Sequence, residues 1–419
     1  MTRVNKYDTY KDSGIEWVGE IPTTWQKVRL RFLCNIQTGD KDTVNKVDDG
    51  MYPFYVRSPI VERINTYTFD GEAILTAGDG VGAGKVFHYV TGKFDYHQRV
   101  YNLHNFKRIF GKFLYLYLKE NFYKEIEKSN AKSTVDSIRL PMLLDFPVVF
   151  PVDTVEQQVI ADYLDKKCGE IDKVVETEKA VIERLKEYKQ SIITEAVTKG
   201  LDKSVPLKDS GIEWIGKIPQ HWKIEKLKFI SECNKEVLSE NTESSKTIDY
   251  IEIGSVTNEN GINDHQTFTF ENAPSRARRI VKHGDTIIST VRTYLKAIAY
   301  IDEQYDNYIC STGFAVFTPS SKILPKFLFH ALHSEWFVST VEANSVGISY
   351  PAINTTNIVN YKIAIPSVKE QEQILKYLDK KCSEIDKAIT GKEQLIEKLT
   401  EYKKSLIYEC VTGKRKVAD

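Results

Sequence analysis

The sequence has no surplus of either charge: 58 Lys and Arg stand against 58 Asp and Glu in 419 residues. Nucleic-acid binders often carry a basic excess, so any such role has to be argued from organisation rather than from pI. No run of 18 apolar residues occurs, which speaks against a membrane-spanning helix. The opening MTRVNKYDTYKDSG lacks an apolar signal-peptide segment, so a cytoplasmic protein is expected. The six cysteines (Cys34, Cys168, Cys233, Cys310, Cys382, Cys410) form no CxxC pair and no zinc-type cluster with histidine. Reduced thiols are expected, with neither disulfide nor structural metal.

Catalytic signatures are also missing. The glycine-rich stretch from Gly78 to Lys85 fails as a phosphate loop, because Asp79 stands where the first glycine is needed and Val86 where Ser or Thr is needed. What remains is a flexible turn, either a plain hairpin loop or one that approaches DNA. No NPPY-type or FxGxG-type methyltransferase motif, PD…(D/E)xK nuclease cluster or helicase box is present. The histidines are scattered, and His330 with His333 on one helix lacks further ligand candidates, so both read as satisfied structural residues. The chain is expected to be non-enzymatic and to hold no cofactor of its own.

What is there is 41% hydrophobic and 28% charged, a globular composition, in a length that suits two domains plus something extra. The chain repeats itself. KDSGIEWVGEIPTTW at 11–25 returns as KDSGIEWIGKIPQHW at 208–222, identical at 11 of 15 positions. A 43-residue block at 156–198 returns at 370–412 with 24 identities. Between these blocks lie two inserts, roughly 31–150 and 230–366, that resemble each other poorly. Drift would erode frame and insert alike, so a kept frame with diverged inserts implies two specificities on one scaffold.

The 43-residue blocks contain no proline and place Leu164, Ile171, Glu178, Leu185 and Ile192 seven apart, matched by Leu378, Ile385, Lys392, Leu399 and Leu406. Val174, Val181 and Tyr188, with Ala388, Leu395 and Tyr402, fill the expected d-like positions, while Val175, Ile182, Ile389 and Ile396 widen the stripe. Each block predicts a long amphipathic helix with a coiled-coil seam, reaching about 65 Å at ~1.5 Å per residue. Two internal copies imply an antiparallel pair, with Glu178 and Lys392 meeting near the midpoints to fix register. The KDSGIEW…IP…W blocks, with Trp17 and Trp25, then Trp214 and Trp222, read as aromatic-stapled turns leading into strands at KVRLRFL and IEKLKFI.

Both inserts alternate short apolar runs with turn signals and read as mixed α/β. MYPFYVRSPI, GEAILTAGD and GKVFHYV predict strands in the first, and IFGKFLYLYLKENFYKEIEK a helix. DYIEIGSV, GDTIISTVR, LKAIAYI and GFAVFTP predict strands in the second, and LPKFLFHALHSEWFVSTVE a helix. Candidate base- or phosphate-contacting residues are Arg57, Lys85, Tyr96, His97, Gln98, Arg99 and Lys132 in the first insert. In the second they are Arg276, Arg278, Arg279, Arg292, Tyr294 and Lys296, with Ser345 and Tyr350 in the run NSVGISYPAIN that sits where SNAKSTVDS sits in the first. Neither insert is basic: residues 31–150 hold 16 basic and 14 acidic side chains, and 223–366 hold 14 and 16. Free-standing DNA affinity is therefore expected to be weak without a partner.

The repeated YKDSGIEWVGEIPTTW and LKDSGIEWIGKIPQHW, with the EQ…I…YLDKKC…EIDK…EYK helices, resemble the specificity subunit of type I restriction–modification systems across the whole chain. The resemblance implies an α+β fold of two mixed α/β target-recognition domains separated by two long antiparallel coiled-coil helices, with an internal pseudo-two-fold repeat. The corresponding segments are 1–150 (first recognition domain and repeat block), 151–205 (first spacer helix), 206–366 (second recognition domain and repeat block) and 367–419 (second spacer helix and tail). It also implies that each domain reads one half of a bipartite, asymmetric double-stranded DNA site, the helical rod setting the gap. Partners would be two modification subunits that bind S-adenosylmethionine and methylate adenine, and restriction subunits that use ATP and Mg. A coiled-coil interaction scaffold without DNA contact, or an enzyme with an unfamiliar site, are the alternative readings.

Overall fold

The computed structural model describes residues 5–80, 82–129, 137–212 and 215–417, so Trp214, Lys132 and most of the SNAKSTVDS run lie outside the described residues. Among the described residues there are seven α-helices: α1 (Gly111–Ser129), α2 (Leu140–Asp145), α3 (Thr154–Lys199), α4 (Pro325–Leu332), α5 (Glu335–Ala343), α6 (Thr355–Ile358) and α7 (Val368–Val411). Contacts divide the chain into two units, Met1–Lys179 with Glu393–Asp419, and Ala180–Lys392. Each unit thus combines one insert with half of each long helix, whereas the segments read from the sequence follow chain order.

In the first unit the repeat block forms a hairpin (Tyr10–Asp12 with Glu20–Pro22), and the strand Trp25–Arg29 then pairs antiparallel with Pro147–Pro151, the FPVVFP run. The insert builds two four-stranded sheets. One is antiparallel in the order Asn35–Thr38, Val100–His104, Ala73–Ala77, Phe87–Val90. The other runs Val61–Ile64, Tyr52–Tyr55, Lys93–Tyr96, Phe69–Asp70, with its two middle strands parallel.

The second unit repeats this plan with different residues. Its hairpin is Leu207–Asp209 with Lys217–Pro219, and Lys223–Lys226 pairs with Lys362–Ile365 of the YKIAIP run. Its sheets run Ser231–Cys233, Phe314–Pro319, Thr286–Ser289, Ile298–Tyr300, and Gln266–Thr269, Thr247–Ile251, Ile309–Ser311, Ala277–Ile280, again with the middle pair of the latter parallel. Two inserts that look unlike as sequence therefore share strand order and direction. One expectation is corrected here. The helix expected over 324–342 is two helices, α4 and α5, because buried Ser334 turns extended and its hydroxyl bonds back to the Ala331 carbonyl at 2.6 Å.

The two residues that open each 43-residue block tie frame to insert in the same way twice. The Glu156 carboxylate accepts the Trp25 indole N–H at 3.1 Å, and Glu370 accepts that of Trp222 at 2.9 Å. Gln157 and Gln371 are fully buried. The Gln157 amide oxygen accepts from the Phe110 backbone N–H at 2.6 Å, ahead of α1, while its amide nitrogen donates to the Arg108 and Pro151 carbonyls. Gln371 does the same with the Leu324 N–H at 2.8 Å, ahead of α4, and with the Lys322 and Pro366 carbonyls. Each amide therefore satisfies three backbone groups that burial would otherwise leave unpaired.

Within each unit the long helices run antiparallel. In the first, Ile160, Ala161 and Leu164 of α3 share a core with Leu406, Ile407 and Cys410 of α7, and Asp172 accepts from Lys403 at 2.6 Å. In the second, Ile192, Ile193 and Ala196 share a core with Ile374, Leu378 and Ile385, and Lys189 donates to Asp386 at 2.7 Å. The two ion pairs occupy repeat-equivalent positions with the helices exchanged. The end of α7 is closed by Gly413 at φ +74°, a left-handed cap, where a Cβ would lie 2.4 Å from Pro22 Cδ beside Trp25.

The seam itself needs correction. Val174, Tyr188, Leu395 and Tyr402, expected at d-like positions, are 44%, 58%, 39% and 49% exposed, and Ala388 is exposed as well. The inward stripe steps by four from Ile171 and Ile385, through Val175, Ile182, Ile389 and Ile396, with Cys168 and Cys382 half-buried on the same line. Glu178 and Lys392 stand beside the division between the two units and are placed within neither pairing described above.

Candidate nucleic-acid interface

In the first insert, the glycine-rich segment passes so close to its neighbours that side chains would not fit. A Cβ on Gly82 would lie 2.3 Å from the Arg57 carbonyl oxygen, and the Gly78 N–H donates to the Arg99 carbonyl at 2.7 Å. This brings Arg57 and Arg99 to one carboxylate: Asp79 lies 2.9 Å from Arg57 Nη1 and 3.5 Å from Arg99 Nη1. A second carboxylate, Asp42, accepts from Gln98 Nε2 at 2.7 Å and lies 3.8 Å from His97 Nε2. His97 is buried, its Nδ1 accepts the Arg99 backbone N–H at 2.9 Å, and burial lowers its pKa, which keeps the ring neutral. Lys85 is exposed, with its ammonium 4.8 Å from the centre of the Tyr123 ring. Tyr96 is a core residue instead of a surface reader, packed on Phe94, with its hydroxyl accepting from Gln37 at 2.8 Å.

In the second insert, a pocket of about 430 Å³ is lined by Tyr250, Glu252, Arg276, Arg292, Ser311 and Tyr350, among others. Three of the sequence candidates meet there: Arg276, Arg292 and Tyr350. Arg292 holds a left-handed backbone (φ +55°), pinned where its N–H donates to the Pro351 carbonyl at 2.7 Å, and its guanidinium stacks 4.9 Å from the Tyr350 ring centre. Tyr350 belongs to a loop closed by paired hydrogen bonds between Val346 and Ala352. Ser345 anchors that loop, because its hydroxyl donates to the Val341 carbonyl and accepts from Thr293, both at 2.7 Å. Tyr294 is 49% exposed on the adjoining turn, and Lys296, also left-handed, lies 3.5 Å from Glu342.

The other two arginines of APSRARRI do not face the pocket. Arg278 donates to its own neighbour's carbonyl, Ala277, and stacks on Phe270 at 4.9 Å. Arg279 is drawn inward beside Cys233 and Cys310, and burial lowers its pKa below the usual guanidinium range. His333 meets the structural expectation, with Nε2 3.0 Å from the Asn258 carbonyl. His330 does not: its Nδ1 is buried without a partner among the described residues, and burial pushes its pKa down to about 3.

Sequence reasoning missed the carboxylates Asp42, Asp79 and Glu252, along with Tyr250. For Glu252 a signal existed, since Tyr250 and Glu252 stand two apart in DYIEIGSV. Among the described residues no group of three or more His, Cys, Asp or Glu is arranged to hold a metal ion, and no helix is long and apolar enough to cross a membrane. The six cysteines are unpaired thiols.

A duplicated frame that presents two unlike faces of arginines, aromatics and carboxylates defines a two-headed recognition protein. The family model described as "Type I restriction modification DNA specificity domain" matches residues 22–187 and again 219–401, and the chain belongs to that family. It is 25% identical over 379 residues to the EcoDI type I restriction enzyme specificity subunit of Escherichia coli, across 86% of this chain and 82% of that one. It is 26% identical over 431 residues to the MjaVIII specificity subunit of Methanocaldococcus jannaschii, across 95% and 94%. A structure reported for complex assembly and conformational transition of the type I R-M system is similar with a TM-score of 0.69 at 13% identity, covering 93% of this chain and 98% of that one. The HsdS subunit from Thermoanaerobacter tengcongensis is similar with a TM-score of 0.50 at 14% identity, across 94% and 98%. At those identities the structural likeness is one of fold.

Proposed function

We propose that the chain is the DNA-reading subunit of a type I restriction–modification complex, working with other subunits of the system and itself performing no chemistry. Each insert reads one half of a bipartite, asymmetric site in double-stranded DNA. The long helices set the unread gap between the halves, with Glu178 and Lys392 fixing their register. Two modification subunits supply S-adenosylmethionine-dependent methylation of adenine N6, and restriction subunits supply ATP- and Mg-dependent cleavage, in the cytoplasm. The observation that carries this reading is the frame clamped twice in one manner by Glu156–Gln157 and Glu370–Gln371. On that clamp sit two inserts of equal topology and unequal surface chemistry. A pure scaffold would have no reason to diversify arginine-bearing faces on a fixed core. Near-neutral inserts suit a protein whose phosphate contacts are shared with partners. Deleting the gene in its host and mapping N6-methyladenine genome-wide tests it. Loss of one split motif methylated on both strands is expected, and an unchanged methylome would overturn the reading.

A further inference from the structure

Resting on that reading, we infer that the pocket around Arg292 in the second recognition domain reads a G·C base pair, Arg292 forking guanine and Glu252 accepting from cytosine. Arg292 is exposed yet held in a left-handed conformation that strains an L-residue. Glycine would adopt it without strain, so the side chain is what the position retains. That side chain is oriented in advance. Its backbone N–H is tied to Pro351, Val291 bridges to Ala352, and the guanidinium lies over the Tyr350 ring. A fixed planar fork matches the N7 and O6 acceptors of guanine in the major groove, the one base edge that offers two acceptors to it.

Glu252 supplies the second half of the argument. It is exposed on the same pocket as two arginines and makes no ion pair among the described residues. A carboxylate on a DNA-facing surface repels phosphate but accepts well from a base amino group. Cytosine N4 and adenine N6 are the candidates in the major groove. An A·T pair gives the neighbouring arginine no fork partner, whereas G·C satisfies both side chains at once. Arg276, exposed at the rim and without an ion pair among the described residues, is left for the adjacent phosphate.

The test uses the full chain co-expressed with its modification subunits, with genomic N6-methyladenine mapping and a panel of duplexes substituted at each position of the second half-site. The second half-site should contain a G·C pair. Arg292→Lys, which keeps the charge and loses the fork, should lower discrimination at that one pair by about tenfold to a hundredfold and leave the first half-site unchanged. Glu252→Gln, at an exposed position outside the core, should relax the same pair, and it supplies the reading should Arg292→Lys fail to fold. A second half-site without G·C, equal loss across all sequences, or undiminished fidelity in Glu252→Gln and Arg292→Lys would overturn the inference. Absence of any split motif with the unaltered chain would instead overturn the reading on which it rests.

Discussion

Gln157 and Gln371 show how one buried amide joins a shared frame to a private insert. Gln157→Leu removes three hydrogen bonds and leaves the Phe110 N–H and the Pro151 carbonyl without a partner. A loss on the order of 3 kcal/mol is expected in urea unfolding, against under 1 kcal/mol for an exposed neighbour such as Gln158→Leu. His330 gives a pH signature. Burial holds its pKa at about 3, while the unfolded chain titrates near 6.5, so the unfolded state gains a proton below ~6.5 that the folded state refuses. Stability should therefore fall as pH drops from about 6.5 towards 3, and His330→Phe should flatten that limb relative to the native chain. Parallel stability–pH curves for the two proteins would contradict this. At this scale the sequence is least legible. The arginine candidates were visible as residue types, but nothing showed that Arg278 would stack on Phe270 or that Arg279 would be drawn inward beside Cys233 and Cys310. The carboxylates that define each face, Asp42, Asp79 and Glu252, come from segments remote from the arginines they accompany, and only the two-residue spacing of Tyr250 and Glu252 gave a local sign of one of them.

The elements were far more legible, because heptad spacing and the lack of proline leave few options for α3 and α7. What spacing left open was the side of the stripe. Val174 and Val175 are adjacent and both apolar, and a seven-residue period accommodates a step of three or of four from Ile171. Packing selects four, turning Val174 outward and Ile182 inward. Ile182→Ala should accordingly cost about 2 kcal/mol or more, whereas Val174→Ala should stay within ~0.5 kcal/mol of neutral, as read by denaturant midpoints. Equal losses would restore the step of three. The break between α4 and α5 escaped the sequence for a different reason. The apolar period continues across Ser334, and only a hydroxyl bonded back onto Ala331 ends the first helix. The strands expected in both inserts lie on their apolar runs, but strands such as Val61–Ile64, Lys93–Tyr96, Val100–His104, Gln266–Thr269 and Ala277–Ile280 were not expected. Nor was the equality of the two topologies, because strand order is set by pairing over long separations that one sequence does not display.

For the whole molecule, the central claim is that the frame is common and the inserts are exchangeable readers. The two units close their inserts with equivalent strands, Trp25–Arg29 with Pro147–Pro151 and Lys223–Lys226 with Lys362–Ile365, and with equivalent glutamines. An insert moved between them meets the same pairing edge and the same amide clamp. The most direct measurement is therefore to replace residues 230–366 with a second copy of 33–151, which keeps the strand register and the proline carbonyl that each glutamine holds, express the chain with the modification subunits proposed above, and map N6-methyladenine across the host genome. The expected result is a split motif whose two halves are inverted copies of the native first half-site. Methylation still at the native asymmetric motif, or at a motif matching neither native half, would contradict the claim.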